Sequence, residues 1–512
     1  MVASLLRVLH SGPQDERLLP KDVKESIKTF QRVFVRAGRM TTQWQRLDFY
    51  SAPQFGQRAT CRIPVKGELL TRLYLVCTMP DISSAQAVAA AAALEAGNTF
   101  LGPSFGWTNS LGHALIANTT LEIGGARAEV LDRRLLEIMD EFNTPMEKVI
   151  NTNSMICRAQ NGFSSRTFGQ SPNPTVVKVP LPFWFSRGDL GWALPIDALW
   201  IDEVRINIDF SPLTSCYYTE SRSGAPVPNI DGSALWPIVG SPFYMDGGGS
   251  YVYNLDPASN PIMAQKIPGQ TMPLSYFLGD TYLMAEYVYL DKAEANRFRI
   301  ADLSVPVVQH AMLDPVDTRA FKQVRIPIEL SNPIRNLFFF CQNYTAALYN
   351  APFLATRDLS GSDIPSYLAP WWPDCAGLTV INPGPLFPGF LKRDSEPLSF
   401  IELLYEGAYV KTSTENCAQY RSILPSLEMR KPPWHNRYMY VIPFGVQSGY
   451  YGPSQPVGET NLNRITNKDL LLGFTPNTGT DNQMTRLWVY AWAEMYNVFR
   501  IYGGRGTLLF AY

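Results

Sequence analysis

The four histidines of this 512-residue chain are the first candidates for catalytic chemistry, because imidazole titrates near neutral pH and binds transition metals. They are His10, His113, His310 and His435. They lie far apart in the sequence, and none occurs in a recognisable nucleophile or metal motif. We therefore expect structural roles for them, although convergence in space stays open. The sequence predicts no catalytic residue, no metal site and no cofactor.

Two pairs of adjacent acidic residues could in principle serve acid–base chemistry. They are Asp140-Glu141 and Asp202-Glu203. Adjacent side chains point apart on a strand and do not form a facing pair on a helix, so a catalytic carboxylate pair is not favoured. We expect solvated faces or ion-paired loops at both places.

Two short motifs resemble binding sequences. Arg187-Gly188-Asp189 spells a tripeptide that some cell-adhesion receptors bind, but it lies within FWFSRGDLGWALP. A bend between strands explains this glycine, so we interpret the motif as structural. The run GGRG at 503–506 lacks the Lys-Ser/Thr ending and the following helix of a phosphate-binding loop. It predicts a tight turn between the last two strands.

Asn118 and Asn343 each begin a glycosylation sequon. The N-terminus has no apolar core of signal-peptide length, so we interpret both sequons as chance occurrences. The cysteines indicate neither a disulfide framework nor a zinc site, because no two of the seven form a CxxC pair and none has a histidine at ligand spacing. We expect free, buried thiols in a reducing cytosol. The cysteines are Cys61, Cys77, Cys157, Cys216, Cys341, Cys375 and Cys417.

The composition favours strands and excludes a general nucleic-acid-binding role. The 12% aromatic content, 40 prolines and 36 glycines are typical of strands joined by many turns. The 44 Lys and Arg residues nearly cancel the 45 Asp and Glu residues, so no positive field draws the chain onto a phosphate backbone. Direct genome packaging and sequence-specific nucleic-acid binding are not expected.

The positions of the apolar residues predict two β-sandwiches. Residues 30–80 hold four short strand-like runs, RVFVRAG, QWQRLDFYSA, ATCRIPVKG and LTRLYLVCTMP. In VRINIDF, the alternation of apolar and polar residues predicts a strand with one face in the core. Earlier in the chain, apolar residues at helical spacing predict one amphipathic helix, which follows a turn at Gly124-Gly125. The core-face residues are Val204, Ile206, Ile208 and Phe210, and the helical ones are Leu131, Leu135, Ile138, Met139 and Phe142.

We divide the chain into an N-terminal arm (1–29), a first sandwich (30–213), a linker or long loop (214–274) and a second sandwich (275–512). AVAAAAAL at 87–94 is too short to span a membrane and predicts a short helix in a surface insertion. An internal echo pairs RATCRIPVKGELLTRLYLVC, from Arg58, with FKQVRIPIELSNPIRNLFFFCQ, from Phe321. The echo indicates that the two halves share an architecture.

Several ordered segments resemble the double jelly-roll major capsid proteins of nucleocytoplasmic large DNA viruses. These segments are FGQRATCRIPVKGELLTRLYLV (55–76), WTNSLGHALIANTTLEIGG (107–125), LPFWFSRGDLGWALPIDALWIDEVRINIDF (181–210), AEYVYLDKAEANRF (285–298), NPIRNLFFFCQ from 332, ETNLNRI (459–465) and YNVFRIYGGRGTLLFAY from 496. The resemblance implies an all-β fold of two tandem eight-stranded jelly rolls, with short helices in loops. Loop lengths do not carry over at 85–105 or before residue 273.

The resemblance also implies partners. Three copies would form a homotrimer with a six-sided outline, and such trimers would contact neighbouring capsomers and minor and penton proteins in a virion assembled in the host cytoplasm or nucleus. The arm 1–29 is the expected inward contact with an inner membrane or its proteins. Aromatic loops such as PWWPD (370–374) are candidate contacts within the trimer.

Two other functions remain open from the sequence. A scaffold protein of the same fold would template an immature particle and later be shed, so its absence from mature virions would identify it. A β-sandwich glycan-binding protein would use exposed aromatic side chains as sugar platforms, and glycan binding by isolated subunits would support it. The candidate platforms are Trp371, Trp372 and Trp434.

Overall fold

The computed structural model describes most of the chain between residues 40 and 510. The described ranges are 40–82, 104–158, 176–187, 190–220, 275–300, 302–344, 396–412, 417–433, 437–449, 457–476 and 484–510, with short pieces within 84–88, 227–253 and 352–355. The arm 1–29, the strand expected at 32–38, the loop PWWPD and all of the helix expected at 87–94 except Val88 lie outside the described residues.

The first part of the chain is built from strands of four to ten residues. They are β1 (Met40–Asp48), β2 (Arg58–Ile63), β3 (Leu69–Thr78), β4 (Ser104–Trp107), β5 (Ile116–Ile123), β6 (Ala126–Asp132), β7 (Val176–Pro180), β8 (Val204–Phe210) and β9 (Tyr217–Glu220). Four short strands and one long strand follow. They are β10 (Val227–Pro228), β11 (Ala234–Leu235), β12 (Phe243–Met245), β13 (Tyr251–Tyr253) and β14 (Thr281–Leu290).

The rest of the chain repeats this architecture. Its strands are β15 (Leu303–Met312), β16 (Val316–Asp317), β17 (Gln323–Pro327), β18 (Pro333–Asn343), β19 (Leu398–Tyr405), β20 (Ala408–Thr412), β21 (Met439–Pro443), β22 (Thr460–Asn461), β23 (Lys468–Phe474), β24 (Leu487–Tyr502) and β25 (Arg505–Leu508). The last two form the predicted hairpin, in which Tyr502 opposes Arg505 across the turn at Gly503 and Gly504. Both glycines have positive φ, which explains the residue type there.

The two halves have the same strand order. In the first sandwich the sheets run β1-β14-β3-β7 and β2-β8-β5-β6, and in the second they run β15-β24-β18-β21 and β17-β23-β19-β20. In each half the first long strand pairs with the last, as in a jelly roll. The larger second-half sheet carries three further strands, β16, β22 and β25, so the expected count of eight strands per roll stays a prediction.

The internal echo in the sequence corresponds to equivalent strands. The first RIP tripeptide lies at the end of β2, with Pro64 directly after the strand, and the second ends β17; each of these strands is an edge of the corresponding sheet. Alternation also acts as predicted in β8, where Val204, Ile206, Ile208 and Phe210 are all buried.

The predicted boundary of the second sandwich is wrong for β14. This strand was assigned to the second half, but it pairs with β3, with Leu283 opposite Leu75 in the core of the first sandwich. A boundary at 274/275 would therefore divide a sheet. We propose that the second sandwich begins after residue 301, while the other boundaries stay predictions.

The helices are short and lie in the connections between strands. They are α1 (Leu111–Leu115), α2 (Arg133–Asn143), α3 (Val149–Ile156), α4 (Lys292–Ile300) and α5 (Leu424–Glu428), which follows a π-helical turn at Gln419–Ile423. Single 3₁₀ turns occur at Met146–Lys148, Trp184–Ser186, Leu190–Trp192, Ile196–Ala198, Leu213–Ser215 and Leu462–Arg464.

Helix α2 is the predicted amphipathic helix. Asp132 caps its N-terminus by accepting a hydrogen bond from the backbone N–H of Arg134 at 3.3 Å. All of its predicted apolar residues are buried, but Leu131 belongs to the preceding strand and not to the helix. This helix positions the charged groups described next.

Candidate functional site

Ionisable side chains from both sandwiches, most of them buried, meet along their contact, and we call this set the ionic joint. Its members from the first sandwich are His113, Glu129, Glu137, Asp140, Glu141, Arg158 and Arg187, and those from the second are His310, Arg335, Lys431, Arg437 and Glu494. Charges of this kind are almost never buried unless they are paired. The joint is therefore the most unusual chemical feature of the described chain.

Glu137 is the centre of the first half of the joint. Its carboxylate lies 2.6 Å from Arg158 Nη2, 2.8 Å from Arg437 Nη1 and 2.6 Å from His113 Nδ1. The hydroxyl of Ser110 donates a further hydrogen bond at 3.0 Å. Burial by itself would raise the pKa of Glu137, but the two guanidinium groups hold it well below its ordinary value. The side chain is therefore an anion that clamps Arg437 of the second sandwich onto the first.

The next turn of α2 extends this cluster through Asp140 and Glu141. Lys431 of the second sandwich donates to Glu141 at 2.7 Å, and Arg158 pairs with Asp140. Burial would raise the pKa of Glu141, but Lys431 and Arg158 lower it. The expectation of a solvated face or an ion-paired loop is wrong here, because these acids lie on a helix and face buried cations across the contact between sandwiches.

The formal charges of this first cluster balance. Three carboxylates meet three cations, and they are Glu137, Asp140, Glu141, Arg158, Lys431 and Arg437. Full compensation is what allows such groups to be removed from water, since an unpaired buried charge costs several kcal/mol.

Glu494 is the centre of the second half of the joint. Arg187 of the first sandwich donates to it at 2.8 Å, and Asn336 donates a further hydrogen bond. His310 lies 3.2 Å from Arg187 Nη2 and 3.0 Å from Glu129 Oε1. Burial would raise the pKa of Glu494, but Arg335 and Arg187 lower it to about 2. In this half of the joint the sandwiches are therefore joined by two contacts, Arg187 with Glu494 and Glu129 with His310.

Aromatic side chains also form contacts between the two sandwiches. The rings of Phe142 and Phe338 are 5.5 Å apart, and those of Trp184 and Phe499 are 5.7 Å apart. The guanidinium of Arg134 lies 3.9 Å from the centre of the Tyr490 ring. Each of these three contacts joins a residue of the first sandwich to one of the second.

This arrangement can hold two sandwiches rigidly, but it offers little for catalysis. Its histidines each face a glutamate inside the protein, and the described residues contain no group of three or more His, Cys, Asp or Glu side chains placed to hold a metal ion. No helix in the described ranges combines the length and apolar character needed to cross a bilayer. The ion pairs across the contact between sandwiches point to a structural role.

Acid is expected to weaken the joint. The pKa of Glu494 falls from an ordinary 4.5 to about 2 in the folded protein, and the pKa values of Glu137 and Glu141 are lowered as well. A lowered carboxylate pKa contributes stability that is complete above the ordinary value and is lost as the pH falls through the folded value. The free energy of unfolding should therefore drop between about pH 4.5 and about pH 2, with roughly 3 kcal/mol from Glu494.

Unfolding by guanidinium chloride at a series of pH values measures how the free energy of unfolding depends on pH. In Glu494→Gln the dependence on pH across the same window should be shallower than in the parent chain, because one titrating group has been removed. An identical dependence in both chains would contradict the assignment.

The structure places the remaining predicted residues as follows. Arg187 of the adhesion-like tripeptide forms an ion pair with Glu494, while Gly188 and Asp189 lie outside the described residues. Asp202 accepts a hydrogen bond from Gly506 N at 2.9 Å, so this acid is held in a loop contact. His10 and His435 also lie outside the described residues.

The sequons and the cysteines are placed as follows. Asn118 is exposed on β5, whereas Asn343 is buried in β18 and is sterically closed to a glycan. Six cysteines are described as free thiols, five of them buried, and burial raises the pKa of Cys61 and Cys216 to about 12. Cys375 lies outside the described residues.

Sequence reasoning missed Glu137, Arg158, Arg437 and Glu494. One signal was available, because Glu137 and Glu141 lie four residues apart on the apolar face of a helix, where like charges repel. Such a pair indicates cations supplied from elsewhere in the fold. The sequence holds no information on which cations these are.

Comparisons with known proteins give a consistent result. A family model described as the major capsid protein N-terminus matches residues 28–253. The major capsid protein of Rana tigrina ranavirus is 22% identical over 430 residues, which is 82% of this chain and 76% of that protein. The probable capsid protein 4 of Acanthamoeba polyphaga mimivirus is 26% identical over 224 residues, or 42% of this chain. That match spans only 39% of the mimivirus protein.

Solved structures agree on the fold. The quasi-atomic model of the PBCV-1 virus capsid gives a TM-score of 0.63 at 16% identity, covering 94% of this chain and 100% of that chain. The Faustovirus major capsid protein gives 0.57 at 11% identity, covering 97% and 96%. These matches confirm an all-β fold of two jelly-roll sandwiches, and the relatives are named as capsid proteins and not as enzymes. The resemblance inferred from the sequence is confirmed.

Proposed function

We propose that this chain is the major capsid protein of a large double-stranded DNA virus. The observation that carries the proposal is the pair of sandwiches with identical strand order, locked together by the ionic joint. A shell subunit must keep a fixed shape under the forces that its neighbours apply, and a joint of ion-paired side chains resists bending at the point where two sandwiches would otherwise hinge.

The proposal includes a homotrimer, and the same feature supports it. Three copies of a chain with two similar sandwiches present six similar units around a threefold axis, which gives a six-sided outline that tiles a flat face. Stable assembly needs apolar surface that an isolated chain leaves in water. Several large apolar side chains are exposed in this way, and they include Trp44, Trp200, Phe277, Phe321, Tyr409, Val446 and Tyr502.

Further partners belong to the proposal as well. Neighbouring capsomers would contact the outer rim, and minor and penton proteins would complete the shell of the virion. The arm 1–29 would face inward, towards an internal membrane or its proteins. Assembly would take place in the cytoplasm or nucleus of the host cell.

The mass of the purified full-length protein tests the proposal. Light scattering should give about three times the 57.4 kDa of one chain, and negative-stain electron microscopy of the same fraction should show particles with a six-sided outline. A stable trimer lacking this outline, or a monomer at all concentrations, would overturn the proposal. A trimer that is absent from mature virions would instead identify a scaffold protein of the same fold.

The glycan-binding alternative has less support. Its three candidate tryptophans, Trp371, Trp372 and Trp434, lie outside the described residues. The similarity to capsid proteins also covers both halves of the chain. Binding of the purified subunits to a glycan array would support the glycan-binding alternative.

A further inference from the structure

The two sandwiches correspond to each other strand by strand, and matching residues pair in the same register. LYLVC in β3 matches LFFFC in β18, and each of these strands pairs with the last long strand of its sandwich, β14 or β24. Tyr74 lies opposite Met284 in the first sandwich, and the matching residue Phe338 lies opposite Trp492 in the second. A contact made by one sandwich therefore identifies the matching surface on the other.

Inside the chain, the first sandwich covers the outer face of the larger sheet of the second. Helix α2, in the connection from β6 to β7, carries Phe142, whose ring is 5.5 Å from the ring of Phe338. The guanidinium of Arg134, at the start of the same helix, lies 3.9 Å from the centre of the Tyr490 ring. The contact is head-to-tail, because a helical connection of one sandwich meets a sheet face of the other.

The matching sheet face of the first sandwich is partly open to solvent. It carries Trp44, Tyr74, Val176 and Met284, and we call it the aromatic face. Tyr74 points away from the core, since successive side chains alternate along a strand and its neighbour Leu75 is buried. Trp44 is 44% exposed with its ring 5.6 Å from that of Tyr74, and Val176 is 46% exposed. Large apolar side chains that share one exposed face indicate a surface for another protein.

The second sandwich has a helical connection at the same place in its strand order. The segment from β20 to β21 carries the π-helical turn and α5, as the segment from β6 to β7 carries α2. Ile423 ends the π-helical turn and Leu427 lies four positions later in α5, so both side chains lie on one side of the helical segment. They are 57% and 60% exposed. The second sandwich thus offers the helical half of the contact, and the first offers the sheet half.

We propose that Ile423 and Leu427 of one copy pack against the aromatic face of the next copy. This contact between copies repeats the contact that α2 makes within the chain. A head-to-tail contact that repeats closes into a ring when its rotation permits, and three chains of two sandwiches each close a ring of six. The inference rests on the proposed function and deepens it by naming the two surfaces that meet between copies.

Aspartate substitutions on the two surfaces test the inference in the full-length protein. Leu427→Asp and Val176→Asp each bury unpaired carboxylates in the contacts of a trimer, which should raise the concentration at which the trimer dissociates by about a hundredfold or more. Val65→Asp is the matched control, because Val65 is 53% exposed but belongs to neither surface, and it should associate as the parent does. Light scattering over a dilution series measures the association, and circular dichroism checks that each variant is folded.

The outcomes separate this inference from the proposed function. A parent chain that never forms a trimer would overturn both. A trimeric parent whose association is unchanged in either Leu427→Asp or Val176→Asp would overturn only the inference, and would leave the aromatic face to another occupant such as the arm 1–29. An equal loss of association in Val65→Asp would also overturn it, because the effect would not be specific to the two surfaces.

Cross-linking gives an independent test, which also decides the outcome if an aspartate variant fails to fold. Leu427→Cys and Val176→Cys are combined in one chain and treated with a short bis-maleimide. Denaturing electrophoresis should then show chains linked into pairs and triples. The single variants and the parent, whose described cysteines are all buried except Cys157, should stay at the mass of one chain. A double variant that yields no linked chains would overturn the inference.

Discussion

Replacing Glu137 with glutamine is expected to lower the free energy of unfolding by about 3–5 kcal/mol. Glutamine keeps the shape of the side chain but removes its charge, so Arg158 and Arg437 are left buried with one carboxylate fewer. Arg158 keeps Asp140 as a partner, but Arg437 loses its close carboxylate and is no longer compensated for its lost hydration. Unfolding by guanidinium chloride, followed by circular dichroism, measures the decrease in the free energy of unfolding.

The matched control is Glu203→Gln. Glu203 pairs with Arg62 and Arg205, but these partners are about half exposed, so water replaces the lost interaction. The expected loss is below about 1 kcal/mol. If Glu137→Gln cost no more than Glu203→Gln, the ionic joint would not be what holds the sandwiches together.

Truncating Trp184 to alanine is expected to cost about 3–5 kcal/mol, because it opens a cavity between the sandwiches. The side chain is fully buried and contacts the rings of Phe185 and Phe499, the second of which belongs to the other sandwich. The surrounding strands cannot collapse into the space without breaking their pairing. The same unfolding experiment gives the loss directly.

Trp200→Ala is the matched control for this variant. Trp200 is 66% exposed, so its truncation should change the stability of the isolated subunit by less than about 1 kcal/mol. The two variants should also differ in assembly. Trp184→Ala should destabilise the subunit before assembly, whereas Trp200→Ala should affect only contacts between copies. Equal losses of subunit stability would contradict the placement of Trp184.

The joint gives the proposed capsid role a physical basis. Two sandwiches connected only by a linker would change their relative angle freely, and a lattice built from them would have no defined curvature. The paired charges of the joint also act as a selective contact, since any shifted packing would leave several of them unpaired. Stability of the single chain and precision of the shell would then depend on the same residues.

Much of the fold could be predicted because the signals are local. Alternation in β8 and the glycines of the hairpin at 503–504 determine a strand and a turn without reference to the rest of the chain. The amphipathic spacing in α2 likewise predicts a helix and its buried face. From such segments the sequence determined the all-β class, the two sandwiches and the resemblance to capsid proteins.

Tertiary structure decided which distant segments meet. Thr281–Leu290 reads as a strand in isolation, but its place beside β3 depends on a pairing between residues more than two hundred positions apart. The contact of Glu137 with Arg437 spans 300 residues. Periodicity shows which face of an element is buried, but it carries no information on the partner across that face. For this reason the sequence alone determined the elements and their class, whereas the sandwich to which β14 belongs and the ionic joint depend on the folded chain.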